Sequence, residues 1–249
     1  MGLQILLLSD IHGNYPALMS IEEKLPAMNF DFIINCGDSI VYAPFPNETL
    51  EWLNIQNVIS ILGNTDKKVI KILQGKSFKK PGKTEKRIMY TSTAAQLTGK
   101  NKNYLLSLKK QQQLQLNLGH KRKKEHYLRL GIFHGSPAAH HEFLFNTTPD
   151  SRFRELAENS RNNIVVTGHS HTPYHKILSG IHFINPGSVG RMFDGNPAAS
   201  CATLEISDKL ISVTHHRFYY PVERVVERIQ KDMLPEIYCQ MYREGKKLN

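Results

Sequence analysis

The sequence predicts an α/β fold with a metal site at its strand ends. Short apolar runs of strand length alternate with helical patterns, as parallel βαβ units do. Five of those runs close on a metal-capable residue, and in four of them a glycine adjoins it. Open α/β sheets bind ligands beyond the carboxyl ends of their strands, so five such ends can converge on one point.

The run Leu3 to Leu8 reads as the first strand and delivers Ser9-Asp10-Ile11-His12-Gly13-Asn14. An aspartate and a histidine two residues apart, where the backbone leaves a sheet, can turn toward one cation. A carboxylate beside an imidazole suits Mn²⁺, Fe²⁺ or Zn²⁺ better than Ca²⁺, which prefers oxygen alone. One Asp-x-His also describes a solvated turn, so recurrence carries the weight. Pro16 to Leu25 has helical spacing at Leu18, Met19, Ile21 and Leu25, with Asn14 placed to cap it. The second strand, Phe32–Asn35, leads through Cys36 to Gly37-Asp38. Pro44 and Pro46 hold a loop until a helix begins at Asn47 and runs past Trp52. Asn57–Leu62 is the third strand and closes on Gly63-Asn64-Thr65-Asp66.

Farther along, Tyr104 to Leu108 is the apolar part of a helix, while Gln111 to Gln115 is polar. Leu128–Phe133 is a strand ending at His134-Gly135, followed by a loop holding Ser136-Pro137 and His140-His141. Pro149 to Asn159 reads as a helix with Phe153 and Leu156 on one side. The run Ile164–Thr167 closes on Gly168-His169-Ser170-His171. Two short strands follow at Tyr174–Leu178 and His182–Ile184, then a glycine-rich turn, Asn185-Pro186-Gly187-Ser188-Val189-Gly190, placed to support the metal loops. Ala199–Ile206 and Leu210–Phe218 alternate as a hairpin around Ser207-Asp208-Lys209, and Val222 to Tyr242 reads as one amphipathic helix. Adjacent histidines seldom aim at one point, so His140-His141 are expected to be exposed and His215-His216 structural or exposed.

With 249 residues, 40% of them hydrophobic, the chain suits a single domain spanning 1–249 with a substantial core. Its three cysteines, Cys36, Cys201 and Cys239, form neither a Cys-x-x-Cys pair nor an even disulfide framework, which points to thiols in a reducing compartment. The N-terminal apolar run is too short for a signal peptide or membrane span, and Leu6 stands where a myristoylation signal takes Ser or Thr. A cytoplasmic protein without a membrane partner is expected. The net charge of +10 is local: Lys67 to Lys124 holds seventeen basic residues against Glu85, a segment at +16, and the remainder is −6. Such a Lys-rich stretch (67–124) is a solvated face by default, but it leaves the Asn64 strand end and can rim the site to attract anions.

Asp10-x-His12, Gly37-Asp38, Gly63-Asn64, His134 and Gly168-His169-x-His171, in this order, resemble the calcineurin-like metallophosphoesterases. The stretches Ser9 to Asn14, Gly37-Asp38 through Pro46-Asn47-Glu48, Gly63 to Asp66, His134 to Pro137 and Asn185 to Gly190 are similar to the compact prokaryotic phosphodiesterase branch. The resemblance implies a four-layer α/β/β/α sandwich with two facing mixed β-sheets. It implies that Asp10, His12, Asp38 and His171 hold one divalent ion, and that Asp38, Asn64, His134 and His169 hold a second, with the Asp38 carboxylate bridging. Mn²⁺ is the ion expected, with Fe, Ni or Zn as alternatives. Two such ions, roughly 3.5–4 Å apart, make a bridging hydroxide and clamp an in-line displacement at phosphorus. Histidines and the Asn64 amide add no negative charge, so the pair stays positive and attracts phosphate.

The expected catalytic residues are Asp38, Asn64 and Asp66, with Asn14 and Asn64 facing the substrate. One departure from the family pattern matters. Many relatives read Gly-Asn-His-Asp at the third motif, where this chain has Thr65. A hydroxyl with a pKa far above neutral is a poor general acid, which favours diesters or activated esters over simple monoesters. The expected activity is therefore metal-dependent phosphodiester hydrolysis on a phosphate-ester substrate. A nuclease using the basic segment is the first alternative, but the lysines lack interleaved aromatics or a nucleic-acid module. A non-catalytic scaffold of the same fold is the second, and all seven candidate ligands are present against it.

Overall fold

The computed structural model describes residues 2–77, 81–117, 127–207 and 210–249. Lys79-Lys80 and the basic residues at 121–124 of the Lys-rich stretch, and the hairpin tip Asp208-Lys209, lie outside the described residues. In chain order the elements are β1 (Leu3–Leu8), α1 (Tyr15–Lys24), β2 (Phe32–Asn35), α2 (Pro46–Ile55), β3 (Ile59–Ser60) and α3 (Asn64–Leu73). Then come α4 (Thr84–Gln96), α5 (Gly99–Ser107), β4 (Gln111–Asn117), β5 (Tyr127–Phe133), α6 (Asp150–Glu158) and β6 (Ile164–Val166). The chain closes with β7 (Tyr174–Leu178), β8 (Ile181–Asn185), β9 (Ala199–Ile206), β10 (Ile211–Phe218), α7 (Val222–Lys231) and α8 (Ile237–Glu244).

The described strands form two five-stranded mixed sheets, ordered β10-β9-β1-β2-β3 and β4-β5-β6-β8-β7. Strands β1, β2 and β3 run parallel in the first, and β5, β6 and β8 in the second. Antiparallel hairpins complete each sheet.

Successive strand side chains point to opposite faces, and that period builds the layers. Along β1, Ile5 and Leu7 enter a core shared with Ile132, Val166 and Leu204, between the two sheets. Leu6 and Leu8 point the other way, into a core with Leu18 and Ile21 of α1, Leu50 of α2 and Val225 of α7. On β6, Ile164 and Val166 face the inter-sheet core while Val165 packs with Phe153 and Leu156 of α6. The result is helix, sheet, sheet, helix. Leu7 is fully buried, so truncating it to alanine costs about 2–5 kcal/mol. No helix among the described residues is long and apolar enough to cross a membrane.

The structure departs from the sequence reading in five places. The expected C-terminal helix is two, because Pro235 lacks an N–H and bars a continuous ladder; Met233 turns the chain at φ 51°. Helix α4 carried no strong sequence signal, and polar β4 is an edge strand drawn into register by β5. Strand β3 keeps only two of its six expected residues, with Ile61 making an isolated bridge to Lys109. Helix α2 starts on Pro46 itself, at the first turn where a missing N–H costs nothing.

Candidate metal centre

Every expected ligand follows the carboxyl end of a strand. Asp10 and His12 follow β1, Asp38 follows β2, Asn64 follows β3, His134 follows β5, and His169 and His171 follow β6. Because these strands are parallel within each sheet, their exits share one edge. Backbone bonds tie the exits together: the amides of Asp10 and His12 donate to the carbonyls of Gly37 and Asp38, and Gly168 N donates to His134 O. The Asn185–Gly190 turn supports them as the sequence suggested. Asn185 Nδ2 donates to Gly168 O at 2.8 Å, and Ser188 Oγ donates to Asp10 O at 2.7 Å.

Two glycines are dictated by close approach. A Cβ on Gly63 would lie 2.0 Å from Asp38 Oδ1, and one on Gly168 would lie 2.0 Å from Ser9 Oγ. The ligands themselves carry the backbone strain: Asp10, His12, Asp38, His169 and His171 all have φ between 51° and 67°. Positive φ is uncommon in non-glycine residues, and clusters of it persist where surrounding contacts over-determine a functional site.

The side chains form two donor groups: Asp10, His12 and His171, and Asp38, His134 and His169. Within each group the ligand atoms lie within 4.8 Å of one another. His12 Nε2 faces His171 Nε2 at 3.2 Å, and Asp10 Oδ1 lies 3.3 Å from His171 Nε2. Asp38 faces both groups, with Oδ1 3.6 Å from His134 Nε2 and Oδ2 4.0 Å from His12 Nε2. Asn64 Oδ1 is 3.1 Å from His134 Nε2, beside the second group.

The outer bonds orient these donors. His134 Nδ1 donates to Cys36 O at 2.8 Å and His171 Nδ1 to Arg191 O at 2.5 Å, so in the neutral rings Nε2 is the lone pair turned inward. Burial pushes His12 well below the usual imidazole range, and burial with neighbouring His134 pushes His169 down to about 3. Both rings are thus kept neutral and ready to ligate. Asp10 Oδ2 accepts from Ser9 Oγ and from His169 N, but its Oδ1 is buried with no hydrogen-bond partner. An orphaned carboxylate oxygen among inward lone pairs is costly without a cation and satisfied by one.

A family model described as the calcineurin-like phosphoesterase superfamily domain matches residues 3–209. The chain is a calcineurin-like phosphoesterase. That family is divalent-metal-dependent, and the two donor groups fit such ions. The chain is 28% identical to an uncharacterized protein of Methanocaldococcus jannaschii, over 93% of this chain and 94% of that one. A metallophosphoesterase structure from Sphaerobacter thermophilus superposes with a TM-score of 0.79 at 25% identity, covering 98% of this chain and 100% of that one. A hypothetical protein of Pyrococcus horikoshii shares the fold with a TM-score of 0.82 at 18% identity, covering 98% and 99%.

Two expected site residues of this phosphoesterase make structural bonds. Asn14 is fully buried, its Oδ1 caps α1 through Ala17 N, and its Nδ2 donates to Gly190 O and Tyr220 Oη. Asp66 is likewise engaged. Its buried carboxylate accepts from the backbone N–H groups of Ser39, Ile40 and Gly63, pinning the Asp38 loop to the start of α3. Burial and the Asp38 charge push its pKa up to about 7, against those three donors. Thr65 N donates to Asp38 Oδ1, and its hydroxyl is spent on Ile40 O.

The adjacent histidines divide. His140 is half-buried against the His134 ring, centroids 5.4 Å apart, whereas His141 is exposed as expected. His215 and His216 are structural, bonded to Asn185 O and Thr203 Oγ1. All three thiols are free and buried.

A cavity of about 350 Å³ opens over the donor groups. Lys86 of the basic segment lines it, and the sequence reading missed much of the rest of its wall: Phe143, Phe145, Phe193, Arg191 and Lys247. Only Arg191 sat beside a recognised motif, directly after Gly190. The others come from loops and helix faces with no strand end to mark them.

Proposed function

We propose that this phosphoesterase hydrolyses phosphodiesters with two divalent ions. Asp10, His12, Asp38 and His171 would hold one, and Asp38, Asn64, His134 and His169 the other. The observation that carries this is the Asp38 carboxylate, whose two oxygens face different donor groups. Mn²⁺ suits the mixed nitrogen and oxygen donors, and the same set accepts Fe²⁺, Ni²⁺ or Zn²⁺. Bound there, the ions would supply Lewis-acid polarisation of a phosphoryl oxygen and activation of water at neutral pH.

The chain's own residues do the rest. Neutral His12 and His169 add no negative charge, so an anionic phosphate is not repelled. The Asn64 amide oxygen likewise ligates without charge. Thr65 spends its proton on Ile40 O, so no strong acid stands at that position to protonate a leaving alkoxide. This favours esters whose leaving group needs no proton.

The test is a panel of aryl diesters and alkyl monoesters on metal-stripped protein resupplied with Mn²⁺, Fe²⁺, Ni²⁺, Zn²⁺ or Mg²⁺. Hydrolysis should return with metal and be fastest on aryl diesters such as bis(p-nitrophenyl) phosphate. Equal activity of stripped and resupplied protein would sink the proposal.

A further inference from the structure

The cavity over the donor groups has two aromatic walls and a cluster of cations, none of them in an ion pair among the described residues. On one wall Phe143 stacks on His169, centroids 3.9 Å apart and planes at 19°, and Phe145 continues the stack at 6.1 Å and 10°. Phe143 is 53% exposed and Phe145 38%, unusually open for such large apolar rings. On the other wall Phe193 stacks on His171, centroids 4.7 Å apart.

Arg191 lies behind Phe193, only 8% exposed. Its guanidinium carbon is 3.8 Å from the Tyr42 ring centroid, 5.2 Å from Phe193 and 5.7 Å from Tyr238, and Nη2 reaches only Met241 Sδ. Among the described residues no carboxylate forms an ion pair with Arg191, Lys86 or Lys247. All three line the cavity. Burial and then the charges of Lys247 and Arg191 push the Lys86 ammonium below its usual range, which places the three cations near one another. A buried cation held only by ring faces is costly unless an anion reaches it. These cations share one cavity with the donor groups, so a second anionic group beside the reacting phosphate would meet them.

We propose that the substrate is a nucleotide carrying at least two phosphates. The reacting phosphate sits at the donor groups, another meets Arg191, Lys86 and Lys247, and the base stacks on the Phe143–Phe145 face. In the reaction a water oxygen bonds to phosphorus, the P–O bond to the leaving group breaks with its electron pair on the departing oxygen, and the proton shed by water passes to solvent. The inference rests on the phosphodiester reading above and narrows its substrate class.

Binding is measured by calorimetry on Mn²⁺-loaded full-length protein with three non-reacting or product-like probes: α,β-methylene-ADP, methylenediphosphonate and AMP. Stacking of a base on an aromatic side chain corresponds to roughly 5- to 150-fold in affinity, so α,β-methylene-ADP should exceed methylenediphosphonate within that range. Phe145→Ala should close that gap and leave methylenediphosphonate binding as it was. Among the described residues Phe145 makes its ring contact with Phe143 and none with a proposed ligand, so loss of metal does not confound the result. Lys86→Gln with Lys247→Gln should shrink the preference for α,β-methylene-ADP over AMP by roughly 5- to 10-fold. The inference is overturned if α,β-methylene-ADP binds no tighter than methylenediphosphonate, or if either gap survives its substitution. If the binding pattern holds while aryl diesters are not cleaved, the hydrolytic reading fails instead.

Discussion

Asp38 is the side chain whose two carboxylate oxygens face different donor groups, and its neighbours show how narrowly it is held. Oδ1 accepts from Thr65 N at 2.7 Å, and Gly63 leaves room that any Cβ would take. Asp38→Asn should therefore lose more than one equivalent of metal, whereas His171→Ala and His134→Ala should each weaken one site. Elemental analysis of the three proteins decides this, and retention of both metals by Asp38→Asn refutes a shared carboxylate. Thr65 yields a second prediction. General acid help is typically worth about 10²–10⁴-fold, and it matters most for poor leaving groups. Thr65→His should raise the rate on alkyl monoesters relative to aryl diesters with both metals retained. An unchanged ratio, measured with metal content verified, places the proton donor elsewhere, and His140 beside His134 is then the side chain to substitute. At this scale the ligand types were legible because glycine and strand-end position mark them. For Asn14 and Asp66 the residue type leaves the role open, because the types that face a substrate also cap helices and bind backbone amides.

Helix α3 shows what one element does for the site. It begins at Asn64, buries Asp66 at its third position and carries Lys67, Lys68 and Lys71. Burial, followed by repulsion from Lys110, pushes Lys67 down to about 8, and the Asp38 charge acts on both Lys67 and Lys68, which places them near the site. The basic segment is thus a rim in part, with Lys86 of α4 lining the cavity itself. For an anionic substrate kcat/KM should fall as salt rises while kcat changes little, because steering is screened beyond a Debye length of about 10 Å at 0.1 M. Lys67→Gln with Lys68→Gln should flatten that slope, and a slope that stays the same returns both lysines to a solvated face. Elements with a clean apolar period were readable: β1, β2 and β7 fall where the sequence put them. The polar edge strand β4 was not, since its pairing with β5 rather than its own glutamines makes it a strand. Nor was the break between α7 and α8 read, although Pro235 stood in plain view.

At the scale of the whole molecule, the donor groups stitch the sandwich together. Asp10, His12, Asp38 and Asn64 leave the first sheet, and His134, His169 and His171 leave the second. Each group draws on both sheets, so bound ions would cross-link the edge that the inter-sheet core leaves open. A ligand that binds only the folded state stabilises it by about 2.7 kcal/mol at 100 times its Kd. In a domain of this size each kcal/mol moves Tm by roughly 2–4 °C, so one filled site is worth about 5–10 °C and two filled sites more. Chelation should lower Tm by at least that amount, and added Mn²⁺ should restore it. His171→Ala and His134→Ala should each forfeit part of the metal-dependent rise, because each leaves one group a donor short. Leu7→Ala tests whether the rise belongs to the edge rather than to general loosening. Its side chain lies in the inter-sheet core, away from any donor, so it should lower Tm in both the loaded and stripped protein and keep the difference between them. If chelation leaves Tm where it was while stripping is confirmed by elemental analysis, the ions do not bridge the sheets. The orphaned Asp10 Oδ1 would then need a different partner.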